Sequence, residues 1–288
     1  MKVLVTGADG QLGRSLRVAC GGSHDFLFTD ISGSADTTYL DITDVEAVAQ
    51  MVRAEGIDVI VNCAAYTDVN KAESDVDRCA LINAKAPQIL ADVMRQTGGL
   101  LVHISTDYVF DGEGSVPYVE DMPCAPASVY GLTKFQGEEA VKATGCRYII
   151  IRTSWLYSEY GRNFVKTMLA LTASKPEIKV VSDQIGTPTY ALDLAHLICT
   201  VIASEGKEGI YHYSNEGSCS WYEFAKKTAE LSGHVSCSVN PCTTEEYPTP
   251  AKRPAYSVMD KSLVKETFGI DVPHWEESLK KCLKNLAE

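Results

Sequence analysis

The sequence KVLVTGADGQLG, at residues 2–13, is the clearest indication of how this chain folds. A short apolar run at residues 2–6 leads directly into a Gly-x-x-Gly-x-x-Gly turn. Leu12, Leu16 and Ala19 then recur at helical spacing. A strand, a glycine turn and a helix in this order form the context of a dinucleotide-binding turn, although an ordinary glycine-rich turn between a strand and a helix looks the same.

The three glycines have distinct roles in such a turn. Gly7 allows the tight bend after the strand, Gly10 lets the backbone approach a diphosphate, and Gly13 lets the helix pack on the strand. The diphosphate charge would lie at the helix N-terminus, where backbone N–H groups point at it. The turn therefore predicts a dinucleotide site at the start of the chain.

Further strand and helix patterns alternate along the first half of the chain. The strand-like runs end near Asp30, Asp41, Val61, Ile104 and Ile151, with helical periodicity at 45–55 and 77–97. Strands that alternate with helices predict an α/β fold with a doubly wound parallel sheet. Ligands of such a sheet bind at the carboxyl ends of its strands, where residues 64–67 and 105–108 also fall.

Asp30 bears on the choice of dinucleotide. An acidic residue about 20 positions after the glycines typically holds the adenosine ribose 2′-hydroxyl. Its charge would repel a 2′-phosphate, and no arginine follows closely, so the sequence favours NADH over NADPH. The alternative is an aspartate in a surface loop. Asp41 and Ile42, at the end of the next strand, would then lie near the adenine.

Tyr130 and Lys134, in the stretch SVYGLTK at residues 128–134, form a Tyr-x-x-x-Lys pair at the start of a helix predicted from Lys134 to Lys142. Residues four apart lie on the same helical face. An ammonium beside a phenol favours the phenolate, so we expect Lys134 to lower the pKa of Tyr130 from its usual value of about 10. The pair could then act as a general acid. Chance pairs occur on solvated helices, so the prediction depends on a neighbouring dinucleotide site.

Composition excludes several classes of protein. The chain has 288 residues, a net charge of −12 and no basic stripe, which argues against nucleic acid as the main ligand. No apolar run approaches the length of about 20 residues that a membrane span needs, and the first apolar run is too short for a signal peptide. We therefore expect a cytoplasmic protein without a membrane partner.

The ten cysteines and six histidines are scattered along the chain. No Cys-x-x-Cys occurs, and in a cytosolic chain small reduced core cysteines are preferred over disulfides. The histidines show no metal-binding spacing. We therefore predict reduced cysteines and no catalytic metal.

On these residues the chain resembles the extended short-chain dehydrogenase/reductases, and more closely the dTDP-4-dehydrorhamnose reductase family. The superfamily combines the glycine turn with a Ser/Thr–Tyr–Lys triad, matched here by Thr106, Tyr130 and Lys134. The closer match rests on stretches that span nearly the whole chain in order: GADGQLG (7–13), DVIVNCAAYTDVNKAESD (58–75), LVHISTDYVFDG (101–112), YGLTKFQGE (130–138), IRTSWLYSEYGRNFVKTML (151–169), SDQIGTPTYALDLA (182–195), GIYHYSNEGSCSWYEFA (209–225) and YPTPAKRP (247–254).

The resemblance implies a fold and an activity. A dinucleotide-binding Rossmann domain is expected at residues 1–152, with about 187–204 returning to it. A smaller α/β part that binds the sugar nucleotide is expected mainly at 153–186 and 205–288. The family reduces the 4-keto group of dTDP-4-dehydro-L-rhamnose with NADH or NADPH.

The resemblance also implies roles for single residues. Tyr130 is the general acid, Lys134 holds the nicotinamide ribose, and Thr106 hydrogen-bonds the reacting region. The expected cofactor contacts are Gly7, Gly10, Gln11, Leu12, Gly13, Asp30, Asp41, Ile42, Ala64, Ala65, Tyr66, Thr67, Ile104, Tyr130 and Lys134. The expected sugar-nucleotide contacts are Thr106, Asp107, Tyr108, Trp155, Asn163, Gln184 and Arg253.

Two of these assignments have an argument of their own from the sequence. Trp155 follows a strand end, where an aromatic side chain can form the wall of a sugar pocket, although a core tryptophan is the alternative. Arg253 lies between Pro250 and Pro254 in an extended loop, and its guanidinium suits a diphosphate better than an ammonium does. The alternative is a solvated loop arginine.

Magnesium, the oligomeric state and the exact activity stay open. Some family members bind magnesium at a dimer contact, but Ser15 stands where a glutamate is expected, so magnesium cannot be assigned, and a monomer or a homodimer is possible. Dehydratases of the superfamily carry Asp-Glu after the triad threonine, whereas Tyr108 follows Asp107 here, which favours net reduction. A reductase of another nucleotide-linked ketosugar and a regulatory subunit resembling that of methionine adenosyltransferase are the remaining alternatives.

Overall fold

The computed structural model describes residues 1–20, 24–204 and 206–287. The strands are β1 (Lys2–Thr6), β2 (Asp25–Asp30), β3 (Thr38–Tyr39), β4 (Val59–Asn62), β5 (Leu100–Thr106), β6 (Arg147–Thr153), β7 (Leu156–Tyr157), β8 (Glu177–Val181), β9 (Ile185–Gly186), β10 (Thr189–Tyr190), β11 (Gly209–His212), β12 (Cys219–Ser220) and β13 (Ser238–Cys242). The helices are α1 (Gln11–Ala19), α2 (Val45–Glu55), α3 (Val69–Ala72), α4 (Val76–Ala80), α5 (Ala86–Thr97), α6 (Val129–Thr144), α7 (Phe164–Ser174), α8 (Ala191–Ala203), α9 (Trp221–Leu231), α10 (Ser262–Phe268) and α11 (Trp275–Ala287). A π-helical turn (Leu81–Lys85) joins α4 to α5, and a 3-10 turn (Asp107–Val109) follows β5. In this part of the chain no helix is long and apolar enough to cross a membrane.

Seven strands form one parallel sheet in the order β11-β6-β5-β4-β1-β2-β3. The order reverses between β1 and β4, because β2 and β3 continue to one side and β5, β6 and β11 to the other. A crevice for ligands opens at the carboxyl ends of the strands at such a reversal. The prediction of an α/β fold with a doubly wound parallel sheet is confirmed.

Both faces of this sheet are covered by helices. Side chains alternate along a strand, so Val3 and Val5 point to one face and Leu4 to the other. The first face packs on α1, α8 and α10, and the second packs on α2, α5 and α6. Burial on both faces explains why the strands are continuous runs of apolar residues rather than alternating ones.

The remaining strands of the described residues pair in twos, β7 with β10, β9 with β12 and β8 with β13. Beside them, α7, α9 and α11 pack around Phe224 and Trp275 in a separate apolar cluster. β11 falls in the range 205–288 and yet joins the large sheet. The division into a dinucleotide-binding domain and a substrate-binding part stays a prediction. Glu205 and Glu288, the first and last residues of the predicted segment 205–288, lie outside the described residues.

Cys20 and Cys199 form a disulfide, so the expectation of reduced cysteines alone is wrong for this pair. α1 and α8 pack on the same face of the sheet, and this brings the two Cα atoms to 6.0 Å, within the range that a disulfide requires. The two cysteines are 179 residues apart, so no spacing in the sequence marks them as partners. The other cysteines are free thiols.

A buried ion pair joins α6 to the sheet. Arg152 of β6 donates from Nη2 to Oε2 of Glu138 at 2.7 Å and from Nε to Oε1 at 3.0 Å. The hydroxyl of Ser105, in β5, donates to Oε1 of the same carboxylate at 2.5 Å. The side chains of Glu138 and Arg152 are 0% and 3% exposed, so water cannot replace either partner. One carboxylate therefore fixes a helix and two strands in relation to one another.

Replacing Glu138 with alanine would leave the Arg152 guanidinium buried without its partner. We expect the free energy of unfolding to fall by about 3–5 kcal/mol, measured by urea denaturation. The next residue, Glu139, pairs with Lys142 at the surface at 2.5 Å, so Glu139→Ala should cost only about 0–1 kcal/mol. Equally small losses in the two variants would contradict the role assigned to the buried pair.

Candidate active site

A cleft of about 870 Å³ opens at the carboxyl ends of the central strands, which is within the size range of ligand pockets. Most of the residues that the sequence singles out line it. They are Gly7, Gly10, Gln11, Leu12, Asp30, Asp41, Ile42, Ala64, Ala65, Thr67, Ile104, Thr106, Asp107, Tyr108, Tyr130, Lys134, Trp155, Asn163 and Arg253. The parallel topology thus brings together residues that are far apart in the chain.

Three residues of the sequence prediction do not line the cleft. Gly13 packs inside the turn, where an added Cβ would lie 2.4 Å from the Cα of Ala8. Tyr66 donates from its hydroxyl to Asp75 at 3.0 Å and points away. Gln184 is buried and donates from Nε2 to the hydroxyl of Thr244 at 3.0 Å. The role of Gln184 as a sugar contact therefore has no support from its position.

The cleft also contains residues that were not expected there from the sequence. They include Arg78, Ser154, Arg162 and Trp221, together with Cys63 at the end of β4. Trp221 could have been noticed, because the sequence Ser220-x-x-Glu223 around it is a capping box that marks a helix start. Arg78 and Arg162 carry no comparable signal, since exposed arginines are common on any surface.

The glycine turn forms a cradle for an anion. Gly7 has a φ of +65°, and an added Cβ would lie 2.6 Å from the backbone nitrogen of Ala64, so a side chain would close the turn. Gly10 precedes α1 without a side-chain cap, and the first turn of α1 contains no acidic residue. The N–H groups of the first turn of α1 are therefore left for a ligand, whereas the N–H of Gly10 already donates to the backbone oxygen of Gly7. This arrangement fits a dinucleotide diphosphate.

The carboxylate of Asp30, at the end of β2, lies beside Asp9 of the glycine turn. Asp30 accepts hydrogen bonds from the backbone N–H groups of Asp9 and Ser32, both at 3.0 Å. Asp9 in turn accepts from the hydroxyls of Ser32, Ser34 and Thr37. Burial raises the pKa of Asp9, but these hydroxyls outweigh it and hold the pKa below its usual range. Of these two carboxylates, Asp30 lines the cleft, and the charge of Arg14 acts on Asp9.

The first turn of α6 positions Tyr130. The Ser128 hydroxyl accepts from the N–H of Gly131 at 3.1 Å and caps the helix, which therefore begins at Val129. The sequence had suggested a later start, at Lys134. Tyr130 and Lys134 consequently lie one helical turn apart on the same face. Gly131 lets this turn approach the end of β5, since an added Cβ would lie 2.2 Å from the carbonyl oxygen of Tyr108.

Lys134 is buried and Tyr130 is half-buried, and loss of solvent governs the pKa values of both. Burial lowers the pKa of Lys134 to about 8, although Glu138 acts in the opposite direction. Its ammonium donates to the backbone oxygen of Ile104 at 2.5 Å. Burial raises the pKa of Tyr130, whereas a hydrogen bond from the Thr106 hydroxyl stabilises the phenolate and lowers the pKa. The expectation of a lowered pKa for Tyr130 is therefore wrong for this structure, because desolvation of the phenol is the largest effect and the charge of Asp107 acts in the same direction.

Thr106 and Asp107 follow β5 directly. The Thr106 hydroxyl donates to Oδ1 of Asp107 at 3.0 Å and accepts from the N–H of Tyr108 at 3.2 Å. Burial raises the pKa of Asp107 to about 6, and the hydroxyls of Ser257 and Thr106 limit the shift. Asp107 is thus a carboxyl group whose charge changes close to neutral pH.

Arg253 reaches the cleft from the proline-rich loop. Its Nη1 donates to the hydroxyl of Tyr108 at 3.4 Å, and the Tyr108 ring meets the ring of Tyr130 edge-on with centroids 5.5 Å apart. Burial raises the pKa of Tyr108 to about 12, while the guanidinium acts in the opposite direction. Arg253 therefore supplies positive charge on the Tyr130 side of the cleft.

Within the described residues, no group of three or more histidine, cysteine, aspartate or glutamate side chains is arranged to hold a metal ion. Ser15 stands where magnesium-binding family members are expected to have a glutamate. It is buried in α1 and donates from its hydroxyl to the backbone oxygen of Gln11 at 3.0 Å. The oligomeric state stays a prediction.

The whole chain, residues 1–288, matches the family model described as RmlD substrate binding domain. The chain is 42% identical over 285 residues to the spore coat polysaccharide biosynthesis protein SpsK of Bacillus subtilis (strain 168), covering 98% of this chain and 97% of SpsK. A dTDP-4-dehydrorhamnose reductase from Clostridium acetobutylicum ATCC 824 has a crystal structure that matches with a TM-score of 0.93 at 44% identity, covering 100% of both chains. A dTDP-4-dehydrorhamnose reductase from Bacillus anthracis, solved in complex with NADP, matches with a TM-score of 0.93 at 41% identity, covering 99% of each chain.

These similarities extend over the whole chain and include both the glycine turn and the later segments. The resemblance inferred from the sequence motifs is confirmed. The chain belongs to the RmlD substrate-binding family, the group of extended short-chain dehydrogenase/reductases that includes the dTDP-4-dehydrorhamnose reductases of Clostridium acetobutylicum and Bacillus anthracis.

Proposed function

We propose that the protein is a reductase that converts the 4-keto group of dTDP-4-dehydro-L-rhamnose to the alcohol of dTDP-L-rhamnose, with NADH or NADPH as the reductant. The observation that carries the proposal is the position of Tyr130, Lys134 and Thr106 in one cleft with the glycine turn of β1 and α1. The names of its relatives support the substrate. A bound nicotinamide would supply the hydride.

Tyr130 is the proton donor in this proposal. Because burial raises its pKa above the usual value, its phenol carries a proton at neutral pH. As charge develops on the carbonyl oxygen of the sugar, the phenol hydrogen-bonds to that oxygen and transfers its proton. The Thr106 hydroxyl lies beside the phenol and orients the same oxygen once its proton, which Asp107 accepts in this structure, turns toward the substrate.

Lys134 stabilises the phenolate that proton transfer leaves behind. With its pKa at about 8, the lysine is still mostly an ammonium at pH 7 and favours the negative charge of the phenolate. Its bond to the backbone of Ile104 fixes the ammonium at the end of β5. From there it can also bind the hydroxyls of the nicotinamide ribose, as the resemblance implies.

NADH is the better fit of the two reductants. Asp30 lines the cleft at the end of β2, and its charge would repel a 2′-phosphate. The ribose 2′-hydroxyl of NADH could instead donate to Asp30. We therefore propose a preference for NADH, although NADPH has the same nicotinamide.

The sugar nucleotide is held at the other side of the cleft. Arg253 offers a guanidinium that can bind two oxygens of the nucleotide diphosphate at once. Asp107 and Trp155 lie close to the predicted position of the sugar, at the ends of β5 and β6. The residues of this chain thus provide an anion site and a sugar wall on the Tyr130 side of the cleft.

Replacing Tyr130 with phenylalanine tests the proton donor and the activity together. Reduced nicotinamide consumption, followed by absorbance, should require dTDP-4-dehydro-L-rhamnose in the native protein. In Tyr130→Phe, kcat should fall about 10²- to 10⁴-fold, because general acid catalysis is lost. The Kd for NADH, measured by fluorescence, should stay the same. Tyr66→Phe, outside the cleft, is the matched control, and near-normal kcat in Tyr130→Phe would refute the assignment.

Arg253→Ala tests the diphosphate site. Loss of a charge-assisted hydrogen bond should raise KM for the sugar nucleotide about tenfold or more, while KM for NADH stays nearly unchanged. Lys252→Ala is the control, since the neighbouring lysine pairs with Glu113 at the surface at 2.8 Å and does not line this cleft. If neither KM changes in Arg253→Ala, the arginine does not bind the nucleotide.

Asp30→Asn tests the cofactor preference. The amide removes the charge that would repel a 2′-phosphate and keeps one oxygen, so one of the N–H groups of Asp9 and Ser32 retains its acceptor. The ratio of kcat/KM for NADPH to that for NADH should rise about tenfold, which corresponds to removing roughly 1 kcal/mol or more of repulsion. Asp36→Asn, at an exposed position outside the cleft, should leave the ratio unchanged. An unchanged ratio in Asp30→Asn would show that this carboxylate does not select the cofactor.

A further inference from the structure

We propose that Trp221 is a positioning residue of the reaction, which holds the indole of Trp155 in place as the wall of the sugar pocket. The inference rests on the proposed function and adds to it a specificity determinant for a 6-deoxy ketosugar. Trp221 comes from α9, 91 residues after Tyr130 in the chain, and both indoles line the cleft.

Trp155 has an unusual backbone conformation. Its φ is +48°, in the left-handed region that bulky residues rarely adopt, and among the described residues it is the one non-glycine residue with a positive φ. Two hydrogen bonds hold this bend. The Ser154 hydroxyl donates to the backbone oxygen of Thr187 at 2.7 Å, and the N–H of Thr189 donates to the backbone oxygen of Trp155 at 3.2 Å. Such strain persists only where the surroundings determine it, and it occurs often at ligand sites.

The bend places the two indoles face to face. Their ring centroids are 3.5 Å apart, and the ring planes differ by 10°. Gly186 leaves room for the arrangement, because an added Cβ would lie 2.7 Å from the Cε2 and Cζ2 atoms of Trp155. The Trp155 ring is therefore confined by Trp221 on one face and cannot rotate freely.

Trp221 is itself held firmly. It is the first residue of α9, and the capping box fixes this end: the N–H of Ser220 donates to Oε2 of Glu223 at 2.7 Å, and the N–H of Glu223 donates to the Ser220 hydroxyl at 3.1 Å. Its ring also packs on Phe164 of α7, with centroids 4.5 Å apart. The stack thus transfers the rigidity of α7 and α9 to Trp155.

A fixed indole suits the chemistry of the proposed substrate. A 6-deoxy sugar has a methyl group and an apolar C–H face, which pack well on an aromatic ring. The register pairs Thr106 with Thr153, so Trp155 follows β6 close to the Thr106–Tyr130 end of the cleft. A wall at this position sets the tilt of the sugar ring and hence the distance between its carbonyl oxygen and the Tyr130 phenol. A small misplacement of the reacting atoms lowers the rate strongly, even when binding persists.

The test compares Trp221→Leu with Trp221→Phe in the full-length protein. Steady-state kinetics with dTDP-4-dehydro-L-rhamnose should show kcat/KM reduced about tenfold or more in the leucine variant, with the loss mainly in kcat, and largely restored in the phenylalanine variant, which can still stack. The Kd for NADH should stay within about twofold of the native value in both. Tyr222→Leu, the next residue on α9 and outside the cleft, is the matched control and should retain native kinetics.

The outcomes separate this inference from the function on which it rests. A leucine variant with native kcat/KM, even if its Tm is lower, would show a purely structural role for Trp221 and overturn the inference. An equal loss in the leucine and phenylalanine variants would overturn it too, since stacking would then not be the cause. If the native protein does not reduce the ketosugar while it still binds NADH, the proposed function fails, and the inference fails with it.

Discussion

The carboxylate of Glu138 is the interaction on which the geometry of the candidate active site depends. It binds Arg152, which directly precedes Thr153 in β6, and Ser105, which directly precedes Thr106 in β5. It also lies one helical turn after Lys134. Burial lowers the pKa of Lys134, and the negative charge of Glu138 raises it again. The same buried group therefore aligns the elements that carry the catalytic residues and helps to keep Lys134 charged. An isosteric apolar replacement would keep the packing but not the electrostatic effect.

Local sequence patterns were sufficient to predict the sheet and most of the cleft. The run KVLVT followed by spaced glycines specifies a strand, a turn and a helix within a few residues, because each step is a local steric requirement. Once the strands are parallel, their carboxyl ends must meet at one edge, so Asp30, Ile104 and Thr106 had to come together. The family followed from motifs distributed over the whole chain.

The features that escaped prediction depend on contacts between distant parts of the chain. Trp221 reaches the cleft only because α9 packs beside β7 and α7, and the pairing of Cys20 with Cys199 requires α1 to lie against α8. The raised pKa of Tyr130 reflects desolvation, which is a property of the folded site and not of the Tyr-x-x-x-Lys spacing. The early start of α6 was missed because the capping hydroxyl of Ser128 outweighs the low helix propensity of the residues that follow.

Because α8 covers the apolar face of α1, the order in which the chain is synthesised affects its folding. The apolar side chains of α1, Leu12 and Leu16 among them, pack on α8, which the ribosome produces only after residue 190. The last strand of the large sheet, β11, ends at His212. The nascent chain must therefore carry an uncovered apolar helix face for most of its translation, and the sheet cannot close before that strand has emerged. Contacts between such distant parts of a chain slow folding in general, and apolar surface that stays uncovered favours aggregation until its partner has been made.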